Sequence, residues 1–229
     1  MKLVAPALLL ASTVSVAAGA LAQAPTLVKD SFPGASATPT AGVGFVNFLG
    51  ISGGRAFVAA REWYPSQALA LWVTDGTTTG TTRLLNLDLS YGPGTDLGGT
   101  FYFGASGPTG TELWKSDGTA PGTSPVAHVS NLTSYYNDNL WHLTAVGGRL
   151  FFSADDGAHG RELWTSDGTT AGTSLVKDIV PGPTGSISGS EFAEAGGALF
   201  FVTYVSSANP EEGLWKSDGT EAGTILLAT

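Results

Sequence analysis

Few side chains in this sequence could do acid–base or metal chemistry, and they are scattered. His128, His142 and His159 are the only histidines. None has a partner at the spacing of a metal centre or a nucleophilic triad, so each reads as an exposed loop or strand residue with no catalytic role. The densest acidic cluster is Asp155-Asp156-Gly157. Its oxygens, joined by loop carbonyls, would suit Ca2+, although no Asp-x-Asp-x-Asp-Gly run with a distal Glu accompanies them. The plain alternative for Asp155 and Asp156 is an acidic hairpin loop. Phosphate loops, nucleophile elbows and dinucleotide fingerprints are absent, so no catalytic or cofactor-binding residue is assigned. The aromatic pairs Trp63-Tyr64 and Tyr135-Tyr136 fall outside any repeated motif. Aromatic faces in loops can stack on sugar rings or partner proteins, which makes these four the candidate ligand-binding residues. Trp141 is assigned to a strand and to the core.

What must position these residues is a repeat. The string Leu-Trp-x-(Ser/Thr)-Asp-Gly-Thr-x-x-Gly-Thr begins at Leu71, Leu113, Leu163 and Leu214 without change of internal spacing. Trp72, Trp114, Trp164 and Trp215 are therefore 42, 50 and 51 residues apart, within the range of propeller-blade repeats. Upstream of each lies Gly-Gly-x and a short apolar run, as in Gly147-Gly148 before Leu150-Phe151-Phe152. Downstream comes another apolar run, such as Ser174-Leu175-Val176. Most length variation falls after it, so the joint between repeats is the loose part.

Each repeat reads as four short strands, since alternation and turn residues dominate and no stripe of helical period competes. In the third repeat the expected strands are 143–146, 149–154, 161–166 and 173–179. Gly-Gly suits a two-residue hairpin turn. In the Asp-Gly-Thr turn, the carboxylate can accept N–H groups two residues on and the Thr hydroxyls can bond back to the loop. Asp75, Asp117, Asp167 and Asp218 are accordingly read, with the four tryptophans, as structural residues. Adjacent large side chains such as Leu163 and Trp164 point to opposite faces of a strand, so both faces of the sheet need apolar cover. Sheets stacked radially supply it, which gives an all-β, β-propeller-like array of four four-stranded repeats, with an elongated stack as the other possibility. The repeats span about 45–88, 89–131, 139–180 and 187–229.

Composition agrees. Gly makes up 32 of 229 residues, 42% are hydrophobic, 13% are charged and Cys is absent. Such a chain is turn-rich and able to bury a core, but has no disulfides to hold it. A net charge of −9 argues against nucleic-acid or anionic-membrane partners. Lys2, the apolar stretch from Leu3 to Val16 and Ala20-Leu21-Ala22 have the order of a secretory signal peptide, residues 1–22. Its removal leaves no segment of membrane-spanning length, hence no stable membrane insertion. Residues 23–44 form a linker with an extra strand at Thr26-Leu27-Val28-Lys29-Asp30, which matches the last strand of a repeat. The fourth repeat already has its own, Ile225-Leu226-Leu227. The spare strand belongs either to a missing preceding unit or to a closing edge, and exposed edges invite pairing with further repeats or self-association.

Glu162-Leu163-Trp164-Thr165-Ser166-Asp167-Gly168-Thr169 and Glu112-Leu113-Trp114-Lys115-Ser116-Asp117-Gly118-Thr119 resemble the ELWxxDGT repeat family of bacterial exported proteins. The flanking Phe151-Phe152-Ser153-Ala154-Asp155-Asp156-Gly157 and Leu175-Val176-Lys177-Asp178-Ile179 resemble it too, so the match covers nearly all of the chain after its leader. The resemblance implies a propeller-like repeat exported to the envelope or exterior, and no established reaction or ligand. Ala70 and Gly213 stand where that pattern has Glu, which weakens any role needing the carboxylate in every unit.

The expected function is an exported non-catalytic scaffold at the cell envelope or exterior that binds protein or glycan partners. The alternatives are a propeller-fold hydrolase or lyase acting on polysaccharide and a calcium-stabilised structural surface array. The calcium reading predicts a higher melting midpoint in millimolar Ca2+ than in EDTA, since a site filled to ~100 times its Kd adds about 2.7 kcal/mol to the folded state. A cooperative melt indifferent to calcium would remove it.

Overall fold

The computed structural model describes residues 43–62, 69–89, 92–107, 110–130, 140–187, 192–203 and 213–229. The expected signal peptide, the extra strand at 26–30 and the aromatic candidates Trp63, Tyr64, Tyr135 and Tyr136 lie outside them. Within them the protein is all-β, a propeller-like array of four antiparallel sheets, each a meander in chain order. The first sheet is β1 (Val43–Ser52), β2 (Arg55–Glu62), β3 (Leu69–Thr74) and β4 (Thr82–Asn86). The second has two short inner segments, β5 (Asp88–Leu89) and β6 (Thr95–Leu97), which share the edge of β7 (Thr100–Gly107); β8 (Gly110–Ser116) and β9 (Ser124–Ser130) follow. The third is β10 (Trp141–Val146), β11 (Arg149–Asp155), β12 (Arg161–Ser166) and β13 (Ser174–Lys177). The fourth is β14 (Ala193–Ala195), β15 (Ala198–Thr203), β16 (Gly213–Ser217) and β17 (Ile225–Ala228). Inner strands β1, β6, β10 and β14 neighbour one another in turn, which is the radial arrangement.

Three apolar cores hold the array, one at each junction. Phe57 and Leu71 of the first sheet meet Phe101 and Phe103 of the second, with the Phe57 and Phe101 rings stacked at 4.2 Å. Leu113 and Val126 then meet Leu150 and Phe152, and Phe151, Leu163 and Val176 meet Leu199, Phe201 and Trp215. The rule holds at all three junctions: the Leu of one Leu-Trp pair faces the following sheet and the Trp of the next pair faces back to the preceding one. Each such Trp packs beside a Phe of its own sheet, at 6.4 Å for Phe103–Trp114, 6.4 Å for Phe152–Trp164 and 6.3 Å for Phe201–Trp215.

The Asp-Gly-Thr turn repeats almost atom for atom. Asp167 Oδ1 accepts the Thr169 N–H at 2.9 Å and the Thr169 hydroxyl at 2.6 Å, while Thr169 Oγ1 accepts the Gly172 N–H at 3.0 Å. The Thr173 hydroxyl reaches the Thr169 carbonyl at 2.7 Å, and Ser166 Oγ accepts the Gly168 N–H at 3.0 Å. Asp75, Asp117 and Asp218 hold the same bonds in their own loops. The Thr hydroxyl and N–H hold all four carboxyls below the usual carboxylate range. Gly172 is required by contact, because a Cβ there would lie 2.0 Å from Asp167 Oδ1.

These turns also join neighbouring sheets. Arg55, in the Gly-Gly hairpin of the first sheet, donates to the Asp117 carbonyl at 2.9 Å and the Gly118 carbonyl at 3.4 Å in the second. Thr170 Oγ1 donates to the Val126 carbonyl, and Lys177 Nζ to the Thr224 carbonyl at 3.3 Å.

Two expectations are corrected. The last strand of the third sheet stops at Lys177 rather than reaching residue 179, because the Val180 N–H leaves the ladder for the Glu162 carboxylate at 3.1 Å. Trp141 is in a strand but is 41% exposed rather than part of the core. The register of β10 on β11 shifts between Trp141 and Thr144, and that bulge re-aims the indole.

If the Asp167 carboxylate is what excludes a side chain at 172, Gly172→Ala will lower the melting midpoint. Adding Asp167→Ala to it will cost less than the two single effects summed. Thermal melts of the two single variants and the double variant measure that coupling, and strict additivity would refute the contact.

Candidate functional site

The two ends of the array differ in kind. Gly-Gly hairpins and Asp-Gly-Thr turns occupy one end with constant lengths. The β2–β3-type loops and the crossovers between sheets occupy the other, and there the sequence varies. The third sheet brings most of the chemistry-bearing side chains together at this crossover end.

Two hydrogen-bonded groups shape it. In the loop after β11, Asp155 Oδ1 accepts the Gly157 N–H at 2.8 Å, and Asp156 Oδ1 accepts the Ala158 and His159 N–H groups at 2.9 Å each. The Asp156 Oδ2 meets His159 Nδ1 at 2.8 Å. Burial alone would raise the Asp156 pKa, but the His159 and Ala158 hydrogen bonds outweigh it and hold the carboxyl low. His159 is raised in turn, by its hydrogen bond to Asp156 and then by that residue's charge. Both candidate calcium ligands thus spend carboxylate oxygens on their own loop. Among the described residues, no group of three or more His, Asp or Glu side chains is arranged to hold a metal ion.

The second group centres on Glu162, whose side chain is fully buried. It accepts the Val180 N–H and the Ser186 hydroxyl, tying the crossover after β13 to the start of β12. The Ser186 and Ile187 N–H groups add bonds to the Arg161 carbonyl at 3.0 and 3.1 Å. The backbones approach so closely that a Cβ on Gly185 would lie 2.2 Å from the Arg161 nitrogen. Burial pushes the Glu162 carboxyl up to about 7, against the opposing pull of the Ser186, Val180 and Ile179 hydrogen bonds. Glu112, the matching residue of the second sheet, is only partly buried and accepts the Trp114 indole N–H at 2.9 Å. In the fourth sheet, where Gly213 stands, Thr203 Oγ1 accepts the indole N–H of Trp215 at 3.0 Å.

On this framework sits an aromatic platform at the junction of the third and fourth sheets. The Arg161 guanidinium lies 5.9 Å from the exposed Trp141 ring. His142 follows with φ of 61°, the only positive φ outside glycine among the described residues. Its ring lies 5.2 Å from Phe192 and its Nδ1 is 3.3 Å from Ser153 Oγ. A left-handed conformation at a non-Gly residue costs free energy that the surrounding packing must offset, and such strain gathers at functional positions. His142 therefore belongs to a cluster, not to an isolated position as its spacing in the sequence suggested. His128 remains exposed on β9, opposite Glu112. The missed signal was the offset of Trp141 and His142 at the very start of a strand, where a bulge can turn them outward.

No family model matches the chain, and no curated protein matches it by sequence. The strand pairing defines a propeller-like repeat protein. TolB from Acinetobacter baumannii shares 14% identity at a TM-score of 0.45, over 76% of this chain and 41% of that one. The present chain thus spans about two fifths of the TolB length. The α-L-arabinofuranosidase CtGH43 from Clostridium thermocellum shares 13% identity at a TM-score of 0.36, over 82% of this chain and 72% of that one. Likeness at this level carries no argument about activity, and the fold assignment stands on the strand pairing itself. No helix among the described residues is long and apolar enough to cross a membrane.

The buried Glu162 sets a pH dependence. Its folded pKa of about 7 exceeds the 4.5 of an ordinary glutamate, so the folded protein holds the proton more tightly than the unfolded chain. The stability tied to that proton is present below pH ~4.5 and is lost as pH rises through ~7, with an upper bound of about 3 kcal/mol. The His159–Asp156 pair acts in the same direction near neutrality, so the diagnostic quantity is a difference between variants. Glu162→Gln should flatten the fall in melting midpoint between pH 5 and 8, whereas an unchanged slope would exclude Glu162 as its source.

Proposed function

We propose that this chain is an exported, non-catalytic repeat scaffold of the ELWxxDGT kind that binds a protein or glycan partner at its crossover end. The observation that carries the reading is the Trp141 platform: an exposed indole held by Arg161 beside a strained His142 and the Phe192 ring. An indole face with a cation on it offers apolar area at little entropic cost and suits either a sugar ring or an aromatic-rich protein surface. The rest of the sheet positions it, since Glu162 fixes the backbone that carries Arg161 and the crossover that leads toward Phe192. The leader-like residues 1–22 and the absence of cysteine support export to the envelope or exterior. The charge of −9 supports partners other than nucleic acid.

The test is a binding screen of the purified chain against envelope polysaccharides and extracellular proteins, followed by Trp141→Ala. Loss of an exposed platform residue should weaken the partner found by tenfold or more while the melting midpoint stays within a degree or two of wild type. Equal affinity of Trp141→Ala for every partner would refute the platform as the site.

A further inference from the structure

Among the described residues, the array has two ends that no further sheet covers. In the first three sheets the Leu of the Leu-Trp pair is fully buried against the following sheet, but Leu214 of the fourth is 40% exposed. Val202, Ile225 and Leu227 are exposed beside it, and Phe200 lies on the same face, half-buried. At the other end Phe48 pairs with Val58 and Val58 with Trp72, so all three share the face that would meet a preceding sheet. Phe48 is 48% exposed there, and Ile51 is exposed on the same face. Among the described residues, no apolar core joins the fourth sheet to the first.

These two surfaces are the complementary halves of one interface that the chain already forms three times. At every internal junction a Leu face meets a Trp face; the fourth sheet ends on a Leu face and the first begins on a Trp face. We propose that the occupant of each end is a second copy of this chain, docked head to tail, so that the Leu214 face of one copy covers the Phe48 and Trp72 face of the other. A heterologous contact of this kind closes into a ring when its rotation allows. Two copies would bring eight blades around one axis, the upper end of the usual range for propellers, whereas three would exceed it. The inference is independent of the partner site at the crossover end.

Sedimentation equilibrium of the purified full chain, with Phe48→Glu and Leu214→Glu, tests it. Both side chains are about half exposed and neither belongs to the three junction cores, so the substitutions leave those cores untouched, and far-UV circular dichroism confirms folding. Phe48→Lys and Leu214→Lys form a second pair should either glutamate variant fail to fold. The wild-type chain should sediment at twice its monomer mass and each variant alone as a monomer. An equimolar mixture of the two should recover a one-to-one pair, because each supplies the face the other lacks. A wild-type monomer, as would follow from cover by residues 23–42, overturns the proposal. So does open-ended growth, a variant that still dimerises alone, as Leu-face-to-Leu-face pairing would allow, or a mixture that stays monomeric.

Discussion

Leucine and tryptophan stand side by side in the third strand of every unit, and a pleated strand must send them to opposite faces. No single sheet can bury both. That constraint makes a neighbour on each side obligatory, and the three junction cores are its consequence. It also explains why the same residues recur at the same spacing: each unit must present a Leu face forward and a Trp face backward to copies of itself. A repeat built this way has little stability alone and gains it by stacking.

Apolar faces do not by themselves determine how two sheets register. Here polar contacts between neighbours supply the alignment. The Asp-Gly-Thr turn is closed by its own carboxylate and hydroxyls, which makes it a rigid block. The adjoining sheet then grips that block through Arg55, or through backbone carbonyls reached by Thr170 and Lys177. A rigid turn held by its neighbour converts a non-directional hydrophobic contact into a defined rotation between sheets.

The division of labour between the two ends follows. One end is committed to these turns and has little freedom to vary. The crossover end has no such duty, and it is where Asp156, His159, Glu162, Arg161 and Trp141 gather. The repeated Glu shows how one position of the pattern can be diverted: as Glu162 it is buried to anchor a crossover, as Glu112 it accepts an indole N–H, and in two units it is absent.

Sequence by itself determined the class and the periodic part of this protein. The strand order within a unit, the opposed Leu and Trp faces and the self-closing role of Asp167 all follow from local rules, namely two-residue alternation and turn chemistry over a few residues. Tertiary structure alone decided the rest. It turned Trp141 outward through a register shift of β10 on β11, put His142 against Phe192 some fifty residues on, and buried Glu162 under a crossover from beyond its own hairpin. Among the described residues it also left the fourth sheet's Leu face and the first sheet's Trp face partly exposed. These are contacts between segments distant in the chain, where the gain in burial or hydrogen bonding depends on packing that no local pattern encodes.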